Sequence, residues 1–144
     1  IGFRNITVLD ISQEALAVSK NRLGDKAQVI RWIEADIIMT QLKSNYYDLW
    51  HDRAVFHFLT KLEDRQKYVN TLSKALKPGG YTLMATFGSN GPLKCSGLEI
   101  TQYSEDSIKK TFQKDFSHIR SFEEIHTTPL NTKQNFLYNL FKRK

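Results

Sequence analysis

Ile6-Thr7-Val8-Leu9-Asp10-Ile11-Ser12 is the stretch that decides the fold: a short β-branched run of the buried-strand type ends on a carboxylate and passes at once into a helix start. Ser12 is a good N-cap and Glu14 places negative charge in the first turn. Leu16 and Leu23 lie on one helical face, and Gly24 supplies the stop. A second strand is expected over roughly Val29 to Ala35, ending at Asp36. Short apolar runs alternating with amphipathic helices are the signature of an α/β sheet.

The same alternation continues outward. Tyr47 to Leu49 begins a third strand that runs into Trp50-His51-Asp52-Arg53. Thr60 and Glu63 have capping-box spacing for a helix reaching about Leu76, with Val69, Leu72 and Leu76 as its apolar face. Lys77-Pro78-Gly79-Gly80 reads as a turn and Tyr81 to Phe87 as a fourth strand. Gly88 to Gly97 is polar and rich in Gly and Pro, which predicts a long loop over one sheet edge. Ser104 caps a helix to about Lys114, with Ile108 and Phe112 facing inward. Two last strands, about Ile119 to Ile125 and Phe136 to Phe141, are close enough to form an antiparallel, hairpin-like ending. The expected class is α/β, mostly parallel, with a reversed strand near the C-terminus and no internal repeat or linker.

Composition agrees. The 144 residues are one domain's worth, and 40% hydrophobic with 25% charged residues describes a globular chain. No stretch approaches the ~20 apolar residues of a membrane span, and no secretory signal pattern is present. The single cysteine, Cys95, excludes an intramolecular disulfide and fits a reducing, cytoplasmic setting. The net charge of +6 invites a nucleic-acid partner. Against it, the basic residues are scattered, only Phe141-Lys142-Arg143-Lys144 clusters, and that cluster reads as a solvated tail. No base-stacking motif or nucleic-acid module accompanies it. The excess charge can still raise encounter rates with anionic substrates.

Ligands of open parallel sheets bind beyond the carboxyl ends of the strands. Asp10 closes the first strand, where a carboxylate can accept a ribose diol or merely complement the following helix dipole. Asp36, in Glu34-Ala35-Asp36-Ile37, can accept an adenine amino group between Ile37 and Ile11 as apolar walls, or serve as a turn former. The pair says more than either member, because both stand at strand ends one strand–helix unit apart. Trp50-His51-Asp52-Arg53 gathers an imidazole, a carboxylate and a guanidinium; His51 suits a general base, while Asp52 and Arg53 suit an ion pair equally well. His57 reads as a satisfied structural histidine, and Cys95-Ser96-Gly97 as loop rather than nucleophile. His51, His57, His118 and His126 have no metal-ligand spacing with Cys95.

Taken in order, these segments resemble the class I S-adenosylmethionine-dependent methyltransferases. Ile6 to Ser12 resembles the family's second motif, Ala35-Asp36-Ile37 its third, and Tyr47-Asp48-Leu49-Trp50-His51-Asp52-Arg53-Ala54-Val55-Phe56-His57-Phe58-Leu59 its fourth, in a form seen in bacterial members of unassigned substrate. Leu76-Lys77-Pro78-Gly79-Gly80-Tyr81 resembles the turn before strand five, and Cys95-Ser96-Gly97-Leu98 with Tyr103 is similar to the same bacterial subgroup. The resemblance implies a Rossmann-like sheet and S-adenosylmethionine as cofactor. It implies that Asp10 holds the ribose hydroxyls and Asp36 the adenine amine, with Ile11, Ala35, Ile37 and Trp50 around them. His51 or Asp52 would be the base and Arg53 would orient the loop or an acidic acceptor, a small molecule or a protein side chain. The chain starts at Ile1, so the family's first, central strand and its Gly-rich turn would precede it. Without them two strand edges would face an empty slot, to be filled by a missing N-terminal segment, a rearranged sheet or a strand from a second copy. The isolated chain is expected to self-associate as a homo-oligomer with an impaired cofactor site. Two other readings stand beside the enzyme: a non-catalytic remnant serving binding or self-assembly, and a dinucleotide binder. The dinucleotide binder explains Asp10 but neither the Pro78-Gly79-Gly80 turn nor the reversed last strand.

Overall fold

In the computed structural model, which describes residues 2–128 and 131–144, the chain divides into two units, Ile1–Gln41 and Leu42–Lys144. The first unit is a strand–helix–strand. β1 (Thr7–Asp10) and β2 (Arg31–Glu34) run parallel, with Thr7 opposite Arg31 and Asp10 opposite Glu34. Between them lie α1 (Gln13–Leu23) and a 3-10 turn over Gly24–Val29. Ser12 caps α1 as expected, its hydroxyl accepting the Ala15 N–H at 3.2 Å. Gly24 ends the helix at a positive φ of 56°, its N–H donating to the Lys20 carbonyl. Leu16 is the buried anchor of the helix, and the Trp32 indole on β2 donates to the Ala27 carbonyl at 3.0 Å.

The second unit is built on a mixed sheet in the order β3 (Tyr47–Arg53), β4 (Leu76–Phe87), β8 (Lys133–Arg143), β7 (Phe116–Thr127). β3 and β4 are parallel, whereas β8 runs antiparallel to both β4 and β7. The parallel and reversed parts of the sequence expectation are therefore both present. α2 (Leu62–Ala75) and α3 (Glu105–Phe112) carry the buried residues Tyr68, Val69, Leu72, Ala75, Ile108 and Phe112. Phe112 stacks on Phe141 of β8 with ring centroids 4.9 Å apart, and α3 opens with a reciprocal Ser104–Ser107 capping box. Among the described residues β1 pairs only with β2, and β3 only with β4.

Four sequence expectations need correction. The Thr60–Glu63 capping box is absent: Lys61 is the N-cap of α2 and makes no side-chain cap. The Arg65 guanidinium instead takes the Leu59 and Thr60 carbonyls at 2.9 and 2.7 Å, so the entry is fixed from inside the helix. Lys77 to Gly80 is not a turn ahead of a strand but a bulge within β4, because Leu76 faces Tyr47 while Tyr81 faces Leu49. Gly79 there has φ 78°, and a Cβ on Gly80 would lie 2.9 Å from the Lys77 carbonyl and 3.1 Å from that of Asp48. The expected long loop contains a hairpin, β5 (Lys94–Cys95) and β6 (Leu98–Glu99), turned by Ser96 and Gly97 at φ 50° and 81°. It lies on a sheet face rather than an edge, with Cys95 and Ile100 packed on the cluster of Ala85, Phe87, Phe136 and Tyr138. Finally, the basic end is no solvated tail. Arg143 donates to Asn45 and to the Leu76 carbonyl, and the Lys144 ammonium reaches the Gln113 and Lys114 carbonyls at 2.6 and 3.2 Å.

Candidate functional site

In the first unit the two parallel strands end side by side. The Ala35 N–H donates to the Asp10 carbonyl at 3.0 Å, so Asp10 and the Ala35-Asp36-Ile37 segment stand at one carboxyl end. Each carboxylate spends one oxygen on its own loop. Asp10 Oδ1 accepts the Ser12 N–H at 2.8 Å, and Asp36 Oδ1 accepts the Ile38 N–H at 3.0 Å. Both are the turn-forming contacts expected of Asp after a strand. They also leave the second oxygen of each half-buried carboxylate without another hydrogen bond among the described residues. Ile37 is buried and Ile11 is exposed, so Ile11 is the isoleucine with a face open to a ligand. An open groove of about 490 Å³ in this unit lies elsewhere, between α1 and β2, and contains neither Asp10 nor Asp36.

Two acceptors fixed in orientation by their loops, with lone pairs to spare, suit a ligand that brings hydroxyl or amino donors. A ribose diol and an adenine amine are donors of that kind, so Asp10 and Asp36 fit the nucleoside end of S-adenosylmethionine.

In the second unit the β-strand alternation separates residues that adjacency in sequence had joined. Trp50 and Asp52 point to the α2 side of the sheet. The Trp50 indole donates to the Tyr68 hydroxyl at 3.0 Å, and that hydroxyl donates to Asp52 Oδ2 at 2.5 Å. Asp52 Oδ1 accepts the Val55 N–H at 3.0 Å. Burial pushes the Asp52 carboxyl above its usual range, with the Tyr68 hydrogen bond opposing, and burial likewise pushes the Tyr68 phenol well up. Asp52 is 5% exposed with both oxygens engaged. It is a structural hub and is withdrawn as a candidate base, as it is from an ion pair with Arg53: no carboxylate lies within salt-bridge distance of that guanidinium among the described residues.

His51 and Arg53 project from the opposite face, and both are exposed. The Arg53 guanidinium lies over the Phe136 ring at 4.9 Å, which orients it without neutralising it. Beyond it the chain turns sharply: Ala54 has φ 65°, a left-handed conformation for a residue with a side chain, and its N–H donates to the Ala85 carbonyl at 3.0 Å. His57 follows in a 3-10 turn, fully enclosed, its Nδ1 accepting the Phe87 N–H at 3.4 Å. Burial lowers its pKa to about 4, so it is a neutral structural group, but not the fully satisfied one expected, because its Nε2 is buried without a hydrogen-bond partner among the described residues.

Sequence reasoning missed Tyr68, the residue that joins Trp50 to Asp52. A helical stripe of Tyr68, Leu72 and Ala75 was available as the signal, since those positions share the face of Val69. Among the described residues no cluster of His, Cys, Asp or Glu is placed to hold a metal, and no helix is long and apolar enough to cross a membrane.

The family model described as "Methyltransferase domain" matches residues 1–84. A curated relative, malonyl-[acyl-carrier protein] O-methyltransferase 2 of Ilyobacter polytropus, is 33% identical over 86 residues, 60% of this chain and 31% of that protein. The match thus spans about a third of that relative's length. Among solved structures, a SAM-dependent methyltransferase from Methanosarcina mazei superposes with a TM-score of 0.76 at 14% identity, covering 96% of this chain and 82% of that one. The N-methyltransferase NodS of Bradyrhizobium japonicum gives 0.76 at 16%, covering 96% and 73%. An S-adenosylmethionine-dependent methyltransferase from Mesorhizobium loti gives 0.77 at 16%, covering 99% and 82%.

Proposed function

The chain belongs to the methyltransferase domain family, the class I S-adenosylmethionine-dependent enzymes, and from that premise we propose that it methylates a small-molecule or protein side-chain acceptor. The cofactor is S-adenosylmethionine, which when bound supplies an electrophilic methyl group on a positive sulfonium. The protein's share is to hold, orient and desolvate. Asp10 accepts the ribose hydroxyls and Asp36 the adenine amine, with the open face of Ile11 and the Ala35 backbone beside them, while the buried Ile37 supports the loop from beneath. The observation that carries this reading is the pair of neighbouring strand-end carboxylates, each with one oxygen spent on its own loop and the other left over.

On the acceptor side His51 takes the role of base, being the exposed imidazole of the segment. Arg53, oriented by Phe136 and unneutralised, meets an acidic group of the acceptor. The malonyl group in the name of the curated relative is in keeping with such an acceptor. Trp50 contributes only its ring, since its N–H is committed to Tyr68. The lone free thiol, Cys95, supports a reducing cytoplasmic setting.

Calorimetric titration with S-adenosylmethionine tests the carboxylates. Asp10→Ala and Asp36→Ala should each weaken binding about ten- to a hundredfold, the worth of hydrogen bonds to a charged group. Wild-type affinity in either variant would overturn that residue's role. A second reading is favoured by the one-sided pairing of β1 and β3: the chain assembles through its open strand edges and binds without catalysing. A monomer that stays monomeric by light scattering across a hundredfold range of concentration would exclude it.

A further inference from the structure

We propose that Tyr68 is a positioning residue for the end of β3, holding the strained Arg53–Val55 turn in place through Asp52; the functional meaning of that turn rests on the acceptor-side reading given above.

The turn does not hold itself. Ala54 occupies the left-handed region that residues with a Cβ avoid, and such a conformation persists only where its surroundings over-determine it. Two hydrogen bonds do so: Ala54 N–H to the Ala85 carbonyl and Val55 N–H to Asp52 Oδ1, each at 3.0 Å. The first comes from the neighbouring strand. The second is only as firm as the Asp52 carboxylate, and the other oxygen of that carboxylate is held by the Tyr68 hydroxyl at 2.5 Å. Tyr68 is itself 1% exposed and fixed from three directions. Its hydroxyl accepts the Trp50 indole N–H at 3.0 Å, it lies 3.7 Å from the Met84 sulfur, and its ring packs on Phe56 with centroids 4.9 Å apart. The chain of contacts Trp50–Tyr68–Asp52–Val55 therefore ties α2 to the turn. His51 and Arg53 alternate with the anchored Trp50 and Asp52 along β3, so the anchor on one face sets where these two are presented on the other. Tyr68 touches neither and acts through Asp52.

Tyr68→Phe separates this role from simple packing, because it keeps the ring and deletes only the hydroxyl. The measurement is residue-resolved amide hydrogen exchange by NMR without cofactor, with the Trp50 indole resonance followed in the same spectra. Expected is an about tenfold faster exchange of the Val55 amide, the loss of one buried hydrogen-bond partner, together with a shifted indole signal. The amides of Leu72 and Phe141, in the core of the same unit, should keep their protection. Asp52→Ala should speed Val55 as much or more, and adding Tyr68→Phe to it should change nothing further. Unchanged Val55 exchange in Tyr68→Phe overturns the proposal, as does equal acceleration at Val55, Leu72 and Phe141, which marks a general loss of stability. Additive effects of the two substitutions overturn it too. Should Asp52→Ala not fold, the single Tyr68→Phe comparison still decides. S-adenosylmethionine is added last to the wild type: failure to shift any resonance from Trp50 to Val55 counts against the functional reading of the strand end, while the exchange data judge Tyr68 separately.

Discussion

His57 carries an imidazole into a place with no exposure, between the rings of Phe58 and Phe87 at centroid distances of 4.7 and 4.6 Å. Its pKa, lowered to about 4 by burial against an ordinary 6.5, makes the neutral form the folded one. A depressed value contributes stability that is present above the unfolded pKa and lost as pH falls, here from 6.5 down through about 4. The interval is worth roughly 3 kcal/mol. His57→Asn, which keeps an acceptor near the Nδ1 position, should flatten the decline of urea-unfolding stability across that window by about this amount; an unchanged slope would show that His57 does not titrate there. Asp52 runs the other way: its raised pKa means a contribution present below the ordinary carboxylate range and lost as pH climbs through the raised value. At this scale the sequence was half legible. Asp10 and Asp36 stand where strand ends must put them. Adjacency grouped His51, Asp52 and Arg53, but alternation along β3 sends them to opposite faces, and the partner of Asp52 lies 16 residues away on a helix.

Among the elements, caps were readable where the side chain and the helix start coincide. Ser12 and Ser104 both cap, whereas Thr60 lies one residue too early for a helix that starts at Leu62. Ser104→Ala should cost about 1 kcal/mol in thermal unfolding, and Thr60→Ala, with no cap to lose, should cost less. The β4 bulge was legible only as a break in pattern. Pro78, Gly79 and Gly80 are turn formers, and only the pairing of Leu76 with Tyr47 and Tyr81 with Leu49 puts them inside a strand. Gly80→Ala would press a Cβ on two backbone carbonyls that cannot swing away, so it should cost about 1–3 kcal/mol by denaturant unfolding. Ser96-Gly97 hid its hairpin because strands of two residues carry too little pattern to register.

At the scale of the whole molecule, order along the chain and order in the sheet diverge. β8, the last strand, lies between β4 and β7. The closeness of the two final strands announced their pairing with each other. Nothing local in Phe136 to Phe141 announced the second pairing, with β4, which follows from register across some fifty residues: Thr82 faces Phe141 and Phe87 faces Phe136. A chain cut before Lys133 should therefore fail to form the second unit's sheet, seen as loss of near-ultraviolet circular dichroism and exposure of apolar surface to dye; a cooperative unfolding transition in that chain would refute the dependence. The same arrangement bears on synthesis. While a ribosome still shields residues 133–143, β4 has no neighbour on one side and β7 has none at all, so the emerging chain carries unsatisfied strand edges until β8 is free. Whatever keeps the nascent protein from aggregating must act until β8 has left the exit tunnel.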